Sequence, residues 1–148
     1  MTDADFMRRA LELAQRAQME GEVPVGAVVV HEGRIVGEGW NHPISSADAT
    51  SHAETEAIRA ACKTLSNYRI PGATLFVTLE PCVMCCGAML HARIGRVVFG
   101  ASDLKTGACG SVINVFAQPR LNHHATVHAG LLAEESAAML RAFFAGRR

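Results

Sequence analysis

The segment Val25 to His31 constrains this chain more than any other. It is nearly all apolar and rich in β-branched side chains, which favour strands over helices. A strand that is apolar at every position must be covered on both faces, so the chain has to supply helices for two sides of a sheet. Glu32-Gly33 then turns the backbone and Arg34 to Glu38 returns as a second strand, so the two read as a hairpin.

The rest of the chain supplies those helices. Phe6, Ala10, Leu13 and Ala17 recur at helical spacing, which predicts a helix over 3–20, capped by Thr2 or Asp3 and ended by Gly21. Asn41 to Ser51 is polar loop, and a second helix follows from about His52 to Leu65. Thr74 to Leu79 reads as a third strand. Pro81 suits the first turn of another helix, running to about His91, because its missing N–H costs nothing there. Arg96 to Gly100 reads as a fourth strand, followed by a Gly-rich loop from Asp103 to Ser111. Thr126 to His128 is a short fifth strand, and a last helix puts Leu132, Met139 and Phe143 on one face. The order describes an α/β fold, with helices packed on a mixed sheet and right-handed crossovers joining its parallel strands.

Composition narrows what such a fold can be for. The 148 residues are 49% hydrophobic, enough for one core, and residues 1–148 read as a single domain. Fourteen basic side chains balance fourteen acidic ones, so the chain as a whole is no general polyanion binder. The charge is split, however. Residues 1–66 carry six basic and ten acidic side chains, and residues 67–148 carry eight and four. A polyanion would meet the C-terminal half. No apolar run near the start approaches the roughly 20 residues of a membrane-spanning helix, and the first residues are acidic where a signal peptide would be basic. Five cysteines, two of them adjacent, make a poor disulfide framework and fit a reducing, cytoplasmic compartment.

Two short segments carry chemistry: His52-Ala53-Glu54 and Pro81-Cys82-Val83-Met84-Cys85, each at the expected start of a helix. Positions i and i+3 share a helix face, so the Cys82 and Cys85 sulfurs can point at one centre. A helix N-terminus favours the thiolate, the metal-binding form. His52 can add a nitrogen, and two thiolates with one imidazole suit Zn²⁺. A structural zinc site has four protein ligands, whereas a catalytic one keeps a position for water. Cys86 points about 100° away from Cys85 around the helix, and Cys62 reads as core; Cys109 lies in a loop and stays open as a fourth ligand. Three ligands plus water is the better count. Two thiolates offset the charge of the ion, so a general base beside the water would help, and Glu54, two residues past His52, is placed to be one. In a dry pocket its pKa should rise, so it could carry protons both ways. Such a site allows hydrolysis: hydroxide attacks an electron-poor carbon, Glu54 passes a proton to a ring nitrogen, and an amine leaves as ammonia. Each piece also has a plainer reading. Ser51-x-x-Glu54 fits a capping box, and a lone Cys-x-x-Cys fits a redox pair or two core cysteines.

At these residues the chain resembles the zinc-dependent nucleobase deaminases. The likeness extends to Pro24-Val25-Gly26-Ala27-Val28, Gly37-Glu38-Gly39-Trp40-Asn41, Thr78-Leu79-Glu80-Pro81-Cys82-Val83-Met84-Cys85, Ile94 to Gly100 and Lys105-Thr106-Gly107-Ala108, and covers about residues 6–145. These segments look like the branch of bacterial tRNA-specific adenosine deaminases, which convert the wobble adenosine of an anticodon to inosine. The resemblance implies a three-layer α/β/α fold with a five-stranded mixed sheet. It implies one Zn²⁺ per subunit on His52, Cys82 and Cys85, and Glu54 as proton donor and acceptor. Asn41 would hydrogen-bond the flipped base, and Asp103 and Lys105 would line a channel for the tRNA anticodon stem-loop. It also implies a homodimer, for which the small-residue stretch Cys86 to Leu90 offers a surface. Cys86 stands where the family usually has a small residue and is expected to be packed. Glu56 stands where the family is more often apolar. Phe143 to Arg148 fits phosphate contacts, although Phe143 and Phe144 fit core packing as well. Two rival readings keep the same zinc ligands: a deaminase of a free nucleobase or nucleoside (cytosine, cytidine or guanine), and a zinc-stapled RNA-binding module with Cys109 as fourth ligand.

Overall fold

The computed structural model describes residues 1–147. Its elements run α1 (Asp3–Met19), β1 (Gly26–His31), β2 (Arg34–Trp40), α2 (Ala53–Leu65), β3 (Thr74–Leu79), α3 (Val83–Ala92), β4 (Arg96–Ala101), a 3₁₀ turn (Val115–Ala117), β5 (Thr126–Ala129) and α4 (Ala133–Ala145). The five strands form one sheet in the order β2-β1-β3-β4-β5. β1 is antiparallel to both β2 and β3, while β3, β4 and β5 run parallel, so the sheet is mixed as expected.

Side-chain alternation along the inner strands divides the core in two. Ala27 and Val29 of β1, Leu75 and Val77 of β3, and Val97 and Phe99 of β4 meet α2 and α3 through Ala57, Ile58, Ala61 and Met89. Val28, Val30, Phe76 and Val98 point the other way and meet Phe6, Met7, Ala10 and Leu13 of α1, with Leu131 and Leu132 at the margin. β1 is therefore buried on both faces, as its composition demands.

Local chemistry fixes where the helices start. Thr2 caps α1: its hydroxyl accepts from Asp5 N at 3.2 Å, and the Asp5 carboxylate accepts from Thr2 N at 2.9 Å. α3 starts two residues later than the Pro81 pattern predicts, because Cys82 takes the extended backbone of an N-cap and leaves Pro81 outside the helix. β2 runs two residues beyond Glu38, to Trp40. α4 buries only Ser136 and Phe143; Met139 is half-buried, and Leu132 precedes the helix in a left-handed conformation. The final residue of the C-terminal pair, Arg148, lies outside the described residues. Arg147 stacks over the Phe143 ring at 4.1 Å and donates to Gly21 O at 3.1 Å, so it ties α4 to the end of α1.

Glycine makes the closest contacts between layers. A Cβ on Gly39 of β2 would stand 2.6 Å from Ala57 N and 2.8 Å from Glu56 Cβ, and would also strike Ala53 O; one on Gly37 would stand 2.6 Å from Ala61 N. A Cβ on Gly26 of β1 would stand 2.6 Å from Ala14 N of α1. The obstructing atoms are helix backbone, which cannot swing aside. Gly39→Ala is therefore expected to lower stability by roughly 1–3 kcal/mol, the usual cost of overpacking, with a drop in melting temperature as the measurement. Gly33→Ala, where a Cβ meets nothing within 4 Å, tests the other glycine cost. It should be destabilising only through its left-handed backbone, and by less than Gly39→Ala.

Candidate active site

His52 is the residue just before α2, and Cys82 the residue just before α3. Two helix N-termini thus converge, and Cys85 projects from the first turn of α3 toward the same point. Both Sγ atoms face His52 Nδ1, Cys82 at 3.6 Å and Cys85 at 3.5 Å. Among the described residues these three form a group whose ligand atoms all lie within 4.8 Å of one another. Tetrahedral zinc, with Zn–S of about 2.3 Å and Zn–N of about 2.0 Å, separates sulfur from nitrogen by roughly 3.5 Å, so the donor set and its spacing fit that ion.

The electrostatics favour a metal as well. Hydrogen bonding from Cys85 and from His52 lowers the Cys82 thiol to about 4 against the opposing effect of burial. Cys85, which holds the proton in that contact and is buried, is pushed well up. His52 is raised, chiefly by its contact with Cys82. The two thiols therefore share one proton, and a cation is what lets both ionise.

Cys109 does not join this group. Its sulfur lies 3.6 Å from that of Cys86, and both are buried. The zinc-stapled reading thus loses its fourth ligand, and Cys86 is packed as expected. Cys62 is half-buried rather than core, with its thiol 3.7 Å from Tyr68 O.

Glu54 occupies the second position of α2 and is 4% exposed. It does not close a capping box with Ser51. The box is His52 with Thr55, whose hydroxyl accepts from His52 N at 3.1 Å. The Ser51 hydroxyl goes instead to Glu56 at 3.1 Å, and Arg59 meets the same oxygen at 2.6 Å, which accounts for an acidic residue at position 56. Burial pushes Glu54 up to about 7, with the Cys82 charge adding and His52 opposing. It borders a cavity of about 230 Å³ together with His52, Cys82, Asn41, Asp103 and Thr106.

The residues expected around that cavity divide. Asn41 lines it, with Oδ1 accepting from Ala53 N at 3.0 Å and capping α2. Asp103 lines it too, but its carboxylate accepts from Lys105 N, Thr106 N and the Thr106 hydroxyl, within its own loop. Lys105 does not reach it. It lines an adjoining cavity of about 420 Å³ with Leu104, Leu140 and Phe144, and the two cavities share Val23, Leu79, Asp103 and Thr106.

Two further acidic residues near the site escape a reading of the sequence. Glu22, 1% exposed, accepts from Ile44 N, Ser45 N and the Ser45 hydroxyl at 2.7–3.1 Å and so pins the loop after Asn41. Glu80, 3% exposed, accepts from Asp103 N, Cys109 N, Ser111 N and the Ser111 hydroxyl. Their partners are distant backbone amides, which no residue pattern encodes.

The chain belongs to the cytidine and deoxycytidylate deaminase zinc-binding family, whose model matches residues 1–101. Within that family it is similar to tRNA-specific adenosine deaminases. That of Haemophilus influenzae is 54% identical over 99% of this chain and 85% of its own length. That of Bacillus subtilis is 45% identical over 96% and 88%. A solved tRNA:A34 deaminase, described for A-to-I editing at the wobble position, superposes with a TM-score of 0.89 at 46% identity, covering 92% of this chain and 99% of that one. The guanine deaminase of Bacillus subtilis aligns over 69% of this chain and 66% of its own, at 41% identity and a TM-score of 0.66.

Replacing Cys82 or Cys85 by Ser is expected to abolish stoichiometric zinc binding in metal analysis of purified protein. In the unaltered chain zinc affinity should fall as the pH is lowered, because the thiols must release protons to bind. Glu22 provides a second test. Burial raises its pKa, but the hydrogen bonds from Ser45 and Ile44 outweigh burial and leave it below its ordinary 4.5. A depressed pKa contributes stability above the ordinary value and loses it as the pH falls toward the lower one. The melting temperature of the unaltered chain should therefore drop as the pH is taken down from 4.5, and that of Glu22→Gln should drop less over the same interval.

Proposed function

We infer that the chain is a hydrolytic deaminase that converts adenosine to inosine at the wobble position of a tRNA anticodon, consuming water and releasing ammonia. One observation carries this reading: a buried carboxylate, Glu54, bordering the same cavity as a His-Cys-Cys ligand set, a cavity sized for one base. The near full-length similarity to tRNA-specific adenosine deaminases supports it. Zinc, when bound by His52, Cys82 and Cys85, supplies Lewis-acid polarisation that makes water nucleophilic near neutral pH.

The residues of the chain do the rest. Glu54 takes a proton from the attacking water, delivers it to a ring nitrogen of the purine, and then passes one to the departing amine. A carboxyl near 7 suits both directions at neutral pH. Asn41 holds Oδ1 on Ala53 N, which leaves its amide N–H₂ free to donate to the base. Asp103 shapes the cavity wall, and Lys105 stands where a neighbouring phosphate would pass. A base in a single-stranded loop is the easiest kind to extrude, and its flanking nucleotides need room outside the pocket; the adjoining 420 Å³ cavity offers it.

The protein works as a single domain, residues 1–148, and as a homodimer with one zinc ion per subunit, in the cytoplasm. Val83 is 59% exposed, and a Cβ on Gly87 would meet nothing within 4 Å, so one face of α3 is free to receive a partner. No helix among the described residues is long and apolar enough to cross a membrane. The second reading, a deaminase of free guanine or another nucleobase, draws on the likeness to a guanine deaminase.

An adenosine-wobble anticodon stem-loop should be converted to its inosine form, with the free bases and nucleosides turned over far more slowly; turnover of a free base alone would favour the second reading. Glu54→Gln should keep its zinc and fold while losing roughly 10²–10⁴ in kcat. Near-normal turnover by that variant would remove Glu54 from the mechanism.

A further inference from the structure

The loop from residue 103 to 111 has no helix or strand of its own, yet it forms one wall of the cavity through Asp103 and Thr106. Glu80 meets it at both ends. One carboxylate oxygen accepts from Asp103 N at 3.0 Å and from the Ser111 hydroxyl. The other accepts from Cys109 N at 3.0 Å and Ser111 N at 3.1 Å. A carboxylate has about four acceptor sites, and here all four are filled, so none is left for a ligand. No basic side chain pairs with Glu80 among the ion pairs of the described residues; its charge is met by amide and hydroxyl dipoles of the loop.

Two further contacts make the fit specific. Gly107 lies against the Glu80 carboxylate, where a Cβ would collide with it and would stand 2.5 Å from Asp103 O. Ala108 N donates to Pro81 O at 2.8 Å, so the loop is also bonded to the residue that links Glu80 to Cys82. One extended tripeptide, Glu80-Pro81-Cys82, thus carries a metal ligand at one end and the loop anchor at the other.

We propose that Glu80 is a positioning residue for substrate: it holds the 103–111 loop in fixed register with the ligand-bearing tip of α3, and so sets the distance between the substrate-facing wall and the reacting centre. This rests on the deaminase reading for its substrate and not for its geometry. Glu80 borders the cavity beside Cys82 and Glu54, but its oxygens bond only to the loop, so its loss acts on the wall that binds substrate rather than on the ligand group or the base. Glu80→Gln keeps the size but turns an N–H₂ toward backbone N–H donors, so at least one hydrogen bond from a loop amide must break.

The test is steady-state kinetics on the anticodon stem-loop, joined with amide hydrogen exchange and zinc analysis. Glu80→Gln should retain stoichiometric zinc, raise KM at least roughly tenfold, as expected for lost hydrogen bonds to a charged group, and change kcat much less. Exchange at Cys109 and Ser111 should accelerate, while amides of β1 and β3 stay protected. Glu22→Gln, which frees the other loop, should leave exchange at 103–111 unchanged. Ser111→Ala should show the same KM effect at smaller size, and should add little to Glu80→Gln, because both act through one anchor. If Glu80→Gln does not fold, Ser111→Ala alone decides: faster exchange with raised KM supports the anchor, and no change in either overturns it. Zinc loss, a defect confined to kcat, or additive effects in the double variant would also overturn it. Failure of the unaltered chain to convert the stem-loop would count against the substrate reading, and unaltered exchange in Glu80→Gln against the anchor.

Discussion

Direct contact between the backbones of α2 and β2 underlies the rest of the site. Gly37 and Gly39 lie on the same face of β2, and Ala53, Ala57 and Ala61 recur every four residues along α2 opposite them. Where these glycines meet the alanines no side chain longer than a methyl separates the layers, so the helix is located there by hard backbone atoms rather than by side chains that can change rotamer. His52 and Glu54 sit at the tip of that helix, so their positions inherit its precision. α3 is fixed differently. It joins the parallel strands β3 and β4 and is held by Met89, buried among Leu75, Val97 and Phe99. The ligand group forms where these two tips meet.

Three buried glutamates surround that meeting point, and their environments separate their roles. Glu22 and Glu80 each accept at least three hydrogen bonds from loop amides and hydroxyls, which outweigh burial and keep them ionised. Glu54 is met only by its own backbone N–H and by the Cys85 thiol, which do not outweigh burial, so its proton is held until near neutrality. A pinned carboxylate can hold a loop but is a poor proton carrier, since each hydrogen bond it accepts stabilises its charge. An unpinned one in a dry cavity has the reverse properties. The fold thus uses one residue type twice as an anchor and once as a titrating group.

Much of this was legible in the sequence because the signals were local. The apolar run from Val25 fixed a strand covered on both faces, and the i, i+3 spacing of Cys82 and Cys85 placed both sulfurs on one face of a helix tip. His52 was legible because its loop-to-helix setting matched theirs. What stayed hidden depends on partners far away in the chain. Glu80 meets amides 23 to 31 residues on, and Glu22 meets amides 22 and 23 residues on. Glu56 had no local reason to be acidic until Ser51 and Arg59 were seen to converge on it. Cys109 could be taken from the list of zinc ligands only once its sulfur was seen against that of Cys86. The start of α3 was misplaced because Pro81 is as acceptable just outside a helix as in its first turn.

The ligand set bears on what the other residues must supply. Two thiolates offset most of the charge of a divalent zinc ion, so it polarises substrate less strongly than one held by neutral imidazoles. More of the rate must then come from a well-placed base. In the proposed reaction Glu54 is that base, and its position follows the α2 seam. Binding of substrate falls to the opposite wall, a loop with no helix or strand of its own, which Ala108 and Cys109 tie into the core. A carboxylate with all its acceptor sites engaged, two residues from a metal ligand, gives the rest of that loop a rigid reference. Asn41 shows the same economy in reverse: its oxygen is spent on the end of α2, and the amide nitrogen that remains is aimed by that bond. Recognition in the proposed reaction therefore falls to donors whose own positions are set by the helix that carries the metal ligand His52 and the base.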